Sequence, residues 1–207
     1  RFPRNVVWEK PAGKGNLKLE KHYTVVPRGL SLAIGCATFP IWNTLPGVFA
    51  SLITANTVIV KPHPNGIYPI AIVVALIQQV LAESGFSPDV CMLASDNANK
   101  LITKELAEDP SVKIIDFTGS SAFGNYIEGL PGKITFTEKS GVNSVVIDSV
   151  ADLGAVAQNL AFSLNLYSGQ MCTAPQNFFI PKDGIKVGGS HVSFEEVEKA
   201  IVDAVTG

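Results

Sequence analysis

The pentapeptide Thr57-Val58-Ile59-Val60-Lys61 is almost wholly apolar and lies between two long apolar stretches of helical character, residues 45–55 and 67–84. A strand without polar alternation is one covered on both faces, and flanking helices supply that cover. The same alternation continues along the chain. Strands are expected over residues 22–26, 30–36, 89–93 and 112–117, and helices from an Asp96 cap to about 108 and over 121–128. Asn56 and Gly85 end the first two helices, and Pro46 falls near the start of the first. Strands that alternate in this way with helices build a parallel sheet with right-handed crossovers. Residues 1–20 show little periodicity, and 10–16 read as loop.

The pattern changes after residue 133. A strand over 133–137 ends at Glu138, strands are expected over 144–147 and 177–180, and helices over 151–167 and 194–205. A domain change therefore belongs near residues 138–143. A chain of 207 residues, 46% hydrophobic and 16% charged, can bury a substantial core. Its net charge of −2 without a basic block gives no reason to expect nucleic-acid or membrane-surface binding. No apolar run is read as long enough to span a membrane, and no signal-peptide pattern opens the chain. The 3 cysteines, Cys36, Cys91 and Cys172, are too few for a disulfide framework and wrongly spaced for zinc, so no metal is expected and a reducing cytoplasm is the expected compartment. The chain begins at Arg1 and stops at Gly207 just after a helical pattern, which reads as a piece excised from a longer protein.

In parallel sheets ligands gather beyond the carboxyl ends of the strands, where Thr38, Lys61 and Ser120 fall. No G-x-G-x-x-G follows the first strand, so an ordinary dinucleotide cradle is missing. Gly119 and Ser120 open a helix directly after a strand, and backbone N–H groups there can hold phosphate. Lys61 ends a buried strand and can reach a phosphate or a ribose hydroxyl; the bland reading of it is a solvated lysine. Glu138 sits at a strand end beside Ser140-Gly141, where a partly desolvated carboxylate can serve as a general base; its bland reading is an exposed glutamate paired with Lys133 or Lys139. Cys172 follows Ser168-Gly169-Gln170-Met171 in a polar turn after an apolar helix. This is the setting of an accessible nucleophile rather than of a packing thiol. Cys36 and Cys91 fall in apolar strands and are expected to pack.

Phe117-Thr118-Gly119-Ser120, Asn56-Thr57-Val58-Ile59-Val60-Lys61-Pro62 and Gly169-Gln170-Met171-Cys172-Thr173-Ala174 together resemble the motifs of the aldehyde dehydrogenase superfamily, in the right order and with the expected interval between Glu138 and Cys172. The resemblance covers residues from about 23 to 181. Thr38-Phe39-Pro40-Ile41-Trp42-Asn43 and Lys61-Pro62-His63-Pro64 are most similar to the enzymes of phenylacetate degradation, the PaaN/PaaZ type. The fold this implies is α/β, a Rossmann-like parallel sheet over residues 1–138 that binds the dinucleotide. The beginning of a second, catalytic α/β domain follows over 139–207.

The resemblance implies oxidation of a small aldehyde to an acid, with Cys172 as nucleophile and Glu138 activating water. Thr38 stands where the family has an oxyanion-binding asparagine, and the loss of such a donor commonly costs roughly 10² in rate. Pro64 replaces a ribose-binding glutamate. Lys61 and His63, with Gly119 and Ser120, are then the expected cofactor contacts, and NADP is expected, with NAD the alternative. A CoA-acylating enzyme and a catalytically silent dinucleotide-binding module are the competing readings. Relatives pair as dimers, so a homo-oligomer is expected of the full-length protein.

Overall fold

In the computed structural model, which describes residues 3–207, the chain opens with two antiparallel strands, β1 (Asn5–Ala12) and β2 (Gly15–His22). This hairpin corrects the loop expected over 10–16. Its residues are nearly all exposed, so no alternation of burial marks it in the sequence. The signal present was Gly13, which takes φ +60° in a two-residue turn. Residues 23–28 carry no regular structure, against the strand expected over 22–26.

Five strands then form one parallel sheet: β3 (Leu30–Ile34), β4 (Thr57–Lys61), β5 (Cys91–Leu93), β6 (Val112–Thr118) and β7 (Ile134–Glu138), in the order β5-β4-β3-β6-β7. The helices α1 (Pro40–Ile53) and α2 (Ile67–Glu83) cover one face, while α3 (Thr103–Glu108) and α4 (Ser121–Glu128) cover the other. Consecutive residues of β3 divide between the two layers. Leu32 and Ile34 pack with Ile115, Phe117 and Ile127, and Ala33 packs with Val48, Val58, Val60 and Ile70. Each such Val, Leu, Ile or Phe side chain contributes about 1.5–3 kcal/mol on burial. The two-sided cover predicted for β4 is thus met: Val58 and Val60 are buried in the layer of α1 and α2 at 0% and 1% exposure, and half-buried Ile59 packs in the opposite layer.

A third cluster gathers Ile147, Ala157, Leu160, Ile185, Val197 and Ile201. It is built by β8 (Asn143–Val146) paired parallel to β10 (Pro175–Phe179), and by β9 (Ser149–Val150), β11 (Ile185–Val187) and β12 (Ser190–Val192) in a three-stranded sheet. The helices α5 (Leu153–Asn165) and α6 (Phe194–Thr206) pack on it. The three short strands β9, β11 and β12 have no counterpart in the expected elements, because two or three residues are too few to display a period.

Two helices differ from expectation in ways that matter below. α1 begins at Pro40, with proline in its first turn, five residues before the expected start, and Pro46 lies inside it. The turn Pro64–Gly66 runs into α2 to make a segment of 20 residues, within which an 18-residue window reaches a mean hydropathy of 1.7. By length and composition alone it could cross a membrane, which corrects the expectation that no run is so long. Here Ile70 and Val74 pack against the sheet, and Tyr68, Ile72, Leu76 and Val80 line an exposed stripe.

Candidate active site

Register aligns the carboxyl ends of the strands. Ile34 stands opposite both Lys61 and Phe117, and Thr118 opposite Glu138. The loops after β3, β4, β6 and β7 therefore open side by side along one edge, and Gly119 N–H donates to the Glu138 carbonyl at 3.0 Å.

Four side chains form a file across this edge. The Cys36 thiol lies 3.6 Å from Thr38 Oγ1 and donates to Asn43 Oδ1 at 3.6 Å. Because that thiol has a single proton, the Thr38 hydroxyl is the donor between the first two. Asn43 Nδ2 in turn donates to Glu138 Oε2 at 3.3 Å. Cys36, expected to pack inside a strand, instead lies two residues beyond β3, half-buried among polar groups. Asn43 enters the site because α1 starts at Pro40, placing residue 43 in the first full turn beside the sheet edge. A proline opening a helix was the signal for it.

Glu138 is exposed at the end of β7 and is not paired with either neighbouring lysine. Lys139 Nζ bonds Glu128 at 2.8 Å and Asn125 at 2.9 Å, while Lys133 Nζ bonds the Val112 carbonyl at 2.7 Å and the Asp109 carbonyl. Half-buried Asp116 lies near enough to feel the Glu138 charge. Burial first, and that charge second, push its carboxyl up to about 6.

The Cys172 turn is shaped by backbone strain. Tyr167, Ser168 and Gly169 all take left-handed φ (49°, 57° and 72°), which breaks the path of α5 and turns the chain outward. Left-handed non-glycine residues cost of order 1 kcal/mol or more and persist where surrounding contacts enforce them. Two contacts do so. The Tyr167 ring meets Phe39 edge-on at 4.4 Å between centroids, and Asn143 Nδ2 donates to the carbonyls of Cys172 (2.6 Å) and Ala174 (3.0 Å). The exposed Cys172 is thereby tied both to the Thr38 loop and to the segment that follows Glu138.

The other expected cofactor contacts divide. Ser120 caps α4, its Oγ accepting from Phe123 N–H at 3.4 Å, and no acidic residue occupies the first turn to neutralise the positive helix end. Gly119 is required there, since a Cβ would lie 2.7 Å from the Phe117 ring. This edge suits a diphosphate. Exposed His63 accepts from Asn65 N–H through Nδ1. Lys61, by contrast, points inward. Its ammonium is buried 2.8 Å from Asp96 Oδ1 and donates to the Pro62 carbonyl at 2.6 Å, so it presents no donor to the surface. The contact with Asp96 is close but off the line of a hydrogen bond, and its attraction is ionic.

Two clefts lie away from these groups. One of about 460 Å³ runs between α1 and the β6–β7 edge, past Arg28, Gly47, Asp116 and Phe136, and one of about 390 Å³ lies between α5 and α6 beside Tyr167. Among the described residues no cluster of three His, Cys, Asp or Glu could hold a metal.

A parallel α/β sheet with an exposed thiol turn and an acid at its carboxyl edge defines the class to which the comparisons assign this chain. Residues 11–187 match the aldehyde dehydrogenase family, and the chain belongs to that family. The crystal structure of an NAD-dependent aldehyde dehydrogenase from Burkholderia multivorans is 52% identical with a TM-score of 0.85, covering 99% of this chain and 37% of that one. The NADP-dependent glyceraldehyde-3-phosphate dehydrogenase of Streptococcus equinus is 30% identical over 171 residues, 82% of this chain and 34% of that protein. The 1-pyrroline-5-carboxylate dehydrogenase of Bacillus subtilis (strain 168) is 29% identical over 190 residues, 87% of this chain and 34% of that protein. The chain thus spans about a third of the length of these relatives.

Proposed function

We propose that the full-length protein oxidises an aldehyde to a carboxylic acid through a thioester on Cys172, with residues 1–138 as the dinucleotide-binding domain and 139–207 as the first part of the catalytic domain. The observation that carries this reading is the convergence on one sheet edge of the Cys172 turn, held by Phe39 and Asn143, and of Glu138, held by Asn43.

Cys172 thiolate adds to the aldehyde carbon, and the resulting oxyanion is met by a backbone N–H and by the Thr38 hydroxyl turning from Cys36. When bound, NAD or NADP supplies the acceptor for the hydride that leaves this carbon. Ser120 and the N-terminus of α4 would hold its phosphates. With Lys61 engaged by Asp96, His63 is the exposed side chain left to meet the 2′-phosphate of NADP, by hydrogen bonding through Nε2. Glu138 then takes a proton from water as the water oxygen bonds to the thioester carbonyl, and the C–S bond breaks to return the thiolate. That Glu138 is free of both neighbouring lysines supports water as the acyl acceptor.

The substrate proposed is an aldehyde of aromatic-compound breakdown of the phenylacetate type. A homodimer is the proposed assembly; a two-stranded hairpin is marginal by itself, and the exposed β1–β2 pair offers a surface for a second copy to cover. The test is oxidation of a small aldehyde panel by the full-length protein with NADP⁺ and with NAD⁺, beside a Cys172→Ala variant. Turnover with the wild type and none with the variant is expected; a variant that still turns over sinks the reading.

A further inference from the structure

We infer that Asn43 is the positioning residue for the base: its carboxamide, oriented by the Cys36 thiol, holds Glu138 for attack on the acyl-enzyme. This rests on the reading of Glu138 given above.

The bond joins residues 95 apart in sequence, Asn43 Nδ2 to Glu138 Oε2 at 3.3 Å. At the other end of the amide, Oδ1 receives the Cys36 thiol proton at 3.6 Å. That donor selects which end of the carboxamide faces the carboxylate. Turned over, Asn43 would set its oxygen against a negatively charged oxygen and its NH₂ against a thiol hydrogen. Thr38, donating to the Cys36 sulfur until an oxyanion forms, pins the thiol rotor in the resting site.

Glu138 needs such a hold. Its side chain is exposed, and Lys133 and Lys139 are bound elsewhere. An unheld glutamate spreads over several rotamers, most of them unable to reach one water. Asn43 occupies one carboxylate oxygen and leaves Oε1 to take the proton from water. The water oxygen bonds to the thioester carbon, sulfur departs as thiolate, and the acid leaves. The group that orders this step belongs to the nucleotide-binding sheet layer, whereas the thioester sits on the turn after α5.

The experiment uses the full-length protein with Asn43→Leu, Asn43→Ser and Asn43→Gln, and with Glu138→Gln as reference. Rapid mixing is expected to show a first-turnover burst of reduced nucleotide in the Leu and Ser variants, followed by a steady rate lowered about 10-fold or more, with acyl-enzyme visible by intact mass. Gln, which keeps the amide, should recover part of the steady rate. Unchanged steady turnover in both Leu and Ser overturns the inference, as does equal loss of burst and steady rate without rescue by Gln. Should Glu138→Gln itself leave acyl-enzyme hydrolysis undisturbed, the parent reading fails instead.

Discussion

The Lys61 ammonium lies 2.8 Å from Asp96 Oδ1, with only 2% and 0% of the two side chains exposed. The pair ties the end of β4 to the loop after β5, and Asp96 Oδ2 also accepts from Ile102 N–H at 3.0 Å just ahead of α3. Taking two charges out of water costs several kcal/mol per ion, which the pair's mutual attraction offsets only while both are present. Lys61→Met and Asp96→Asn each strand a buried charge, and each alone is therefore expected to lower stability by about 3–5 kcal/mol. The double variant should recover most of the loss. Urea unfolding of the four proteins decides it: additive losses would show that the pair is not coupled.

Asp116 makes stability depend on pH with an unusual sign. Its carboxyl is raised from the ordinary value to about 6, so between roughly pH 4 and 6 the folded chain binds more protons than the unfolded one. The Asp116 contribution accordingly falls as pH rises through that window and stays low above it. Asp116→Asn is expected to melt like the wild type near about pH 4 and higher than it near about pH 8. Equal melting temperatures at both values would refute the assignment.

Gly47 lies inside α1, where alanine ordinarily helps a helix by about 1 kcal/mol. Here a Cβ would stand 2.5 Å from Asp116 Cγ and 2.9 Å from Asp116 Cβ, atoms close to the β6 backbone that have little room to retreat. Gly47→Ala is thus expected to destabilise by about 1–3 kcal/mol through overpacking. A gain measured by thermal unfolding would show that α1 can lift from β6 freely.

The three thiols should separate by reactivity. Cys91 has 0% exposure, and burial pushes its thiol up to about 11, so it should resist alkylation until the fold opens. Cys172 is exposed and half-buried Cys36 is bonded to Asn43, so the native protein should label first at Cys172. Peptide mapping after timed alkylation checks the order, and early labelling of Cys91 would contradict it.

Local signals marked several elements closely. β4 runs over Thr57–Lys61 as its apolar run demanded, α4 spans Ser121–Glu128 behind its Ser120 cap, and Gly85 takes φ +79° just after α2. The start of α1 was placed late because Pro46 and Pro40 both suit a first turn, and only packing of the Pro40–Asn43 turn at the sheet edge distinguishes them. The motif residues Glu138 and Cys172 were visible as a strand-end acid and a turn thiol. Their holders Asn143 and Tyr167 were not, for neither lies within reach of a local pattern, and for Asn43 the one local signal was the proline that opens α1.

The amino-acid order by itself determined that this chain builds a helix-covered parallel sheet and that its polar chemistry collects at strand ends, because burial periodicity and turn residues act over a few positions. Only the tertiary structure decided that Lys61 turns inward to Asp96 and that Glu138 takes Asn43 as partner rather than Lys133 or Lys139. Ion pairs and hydrogen bonds form by distance in space, and strand order, not separation along the chain, sets that distance.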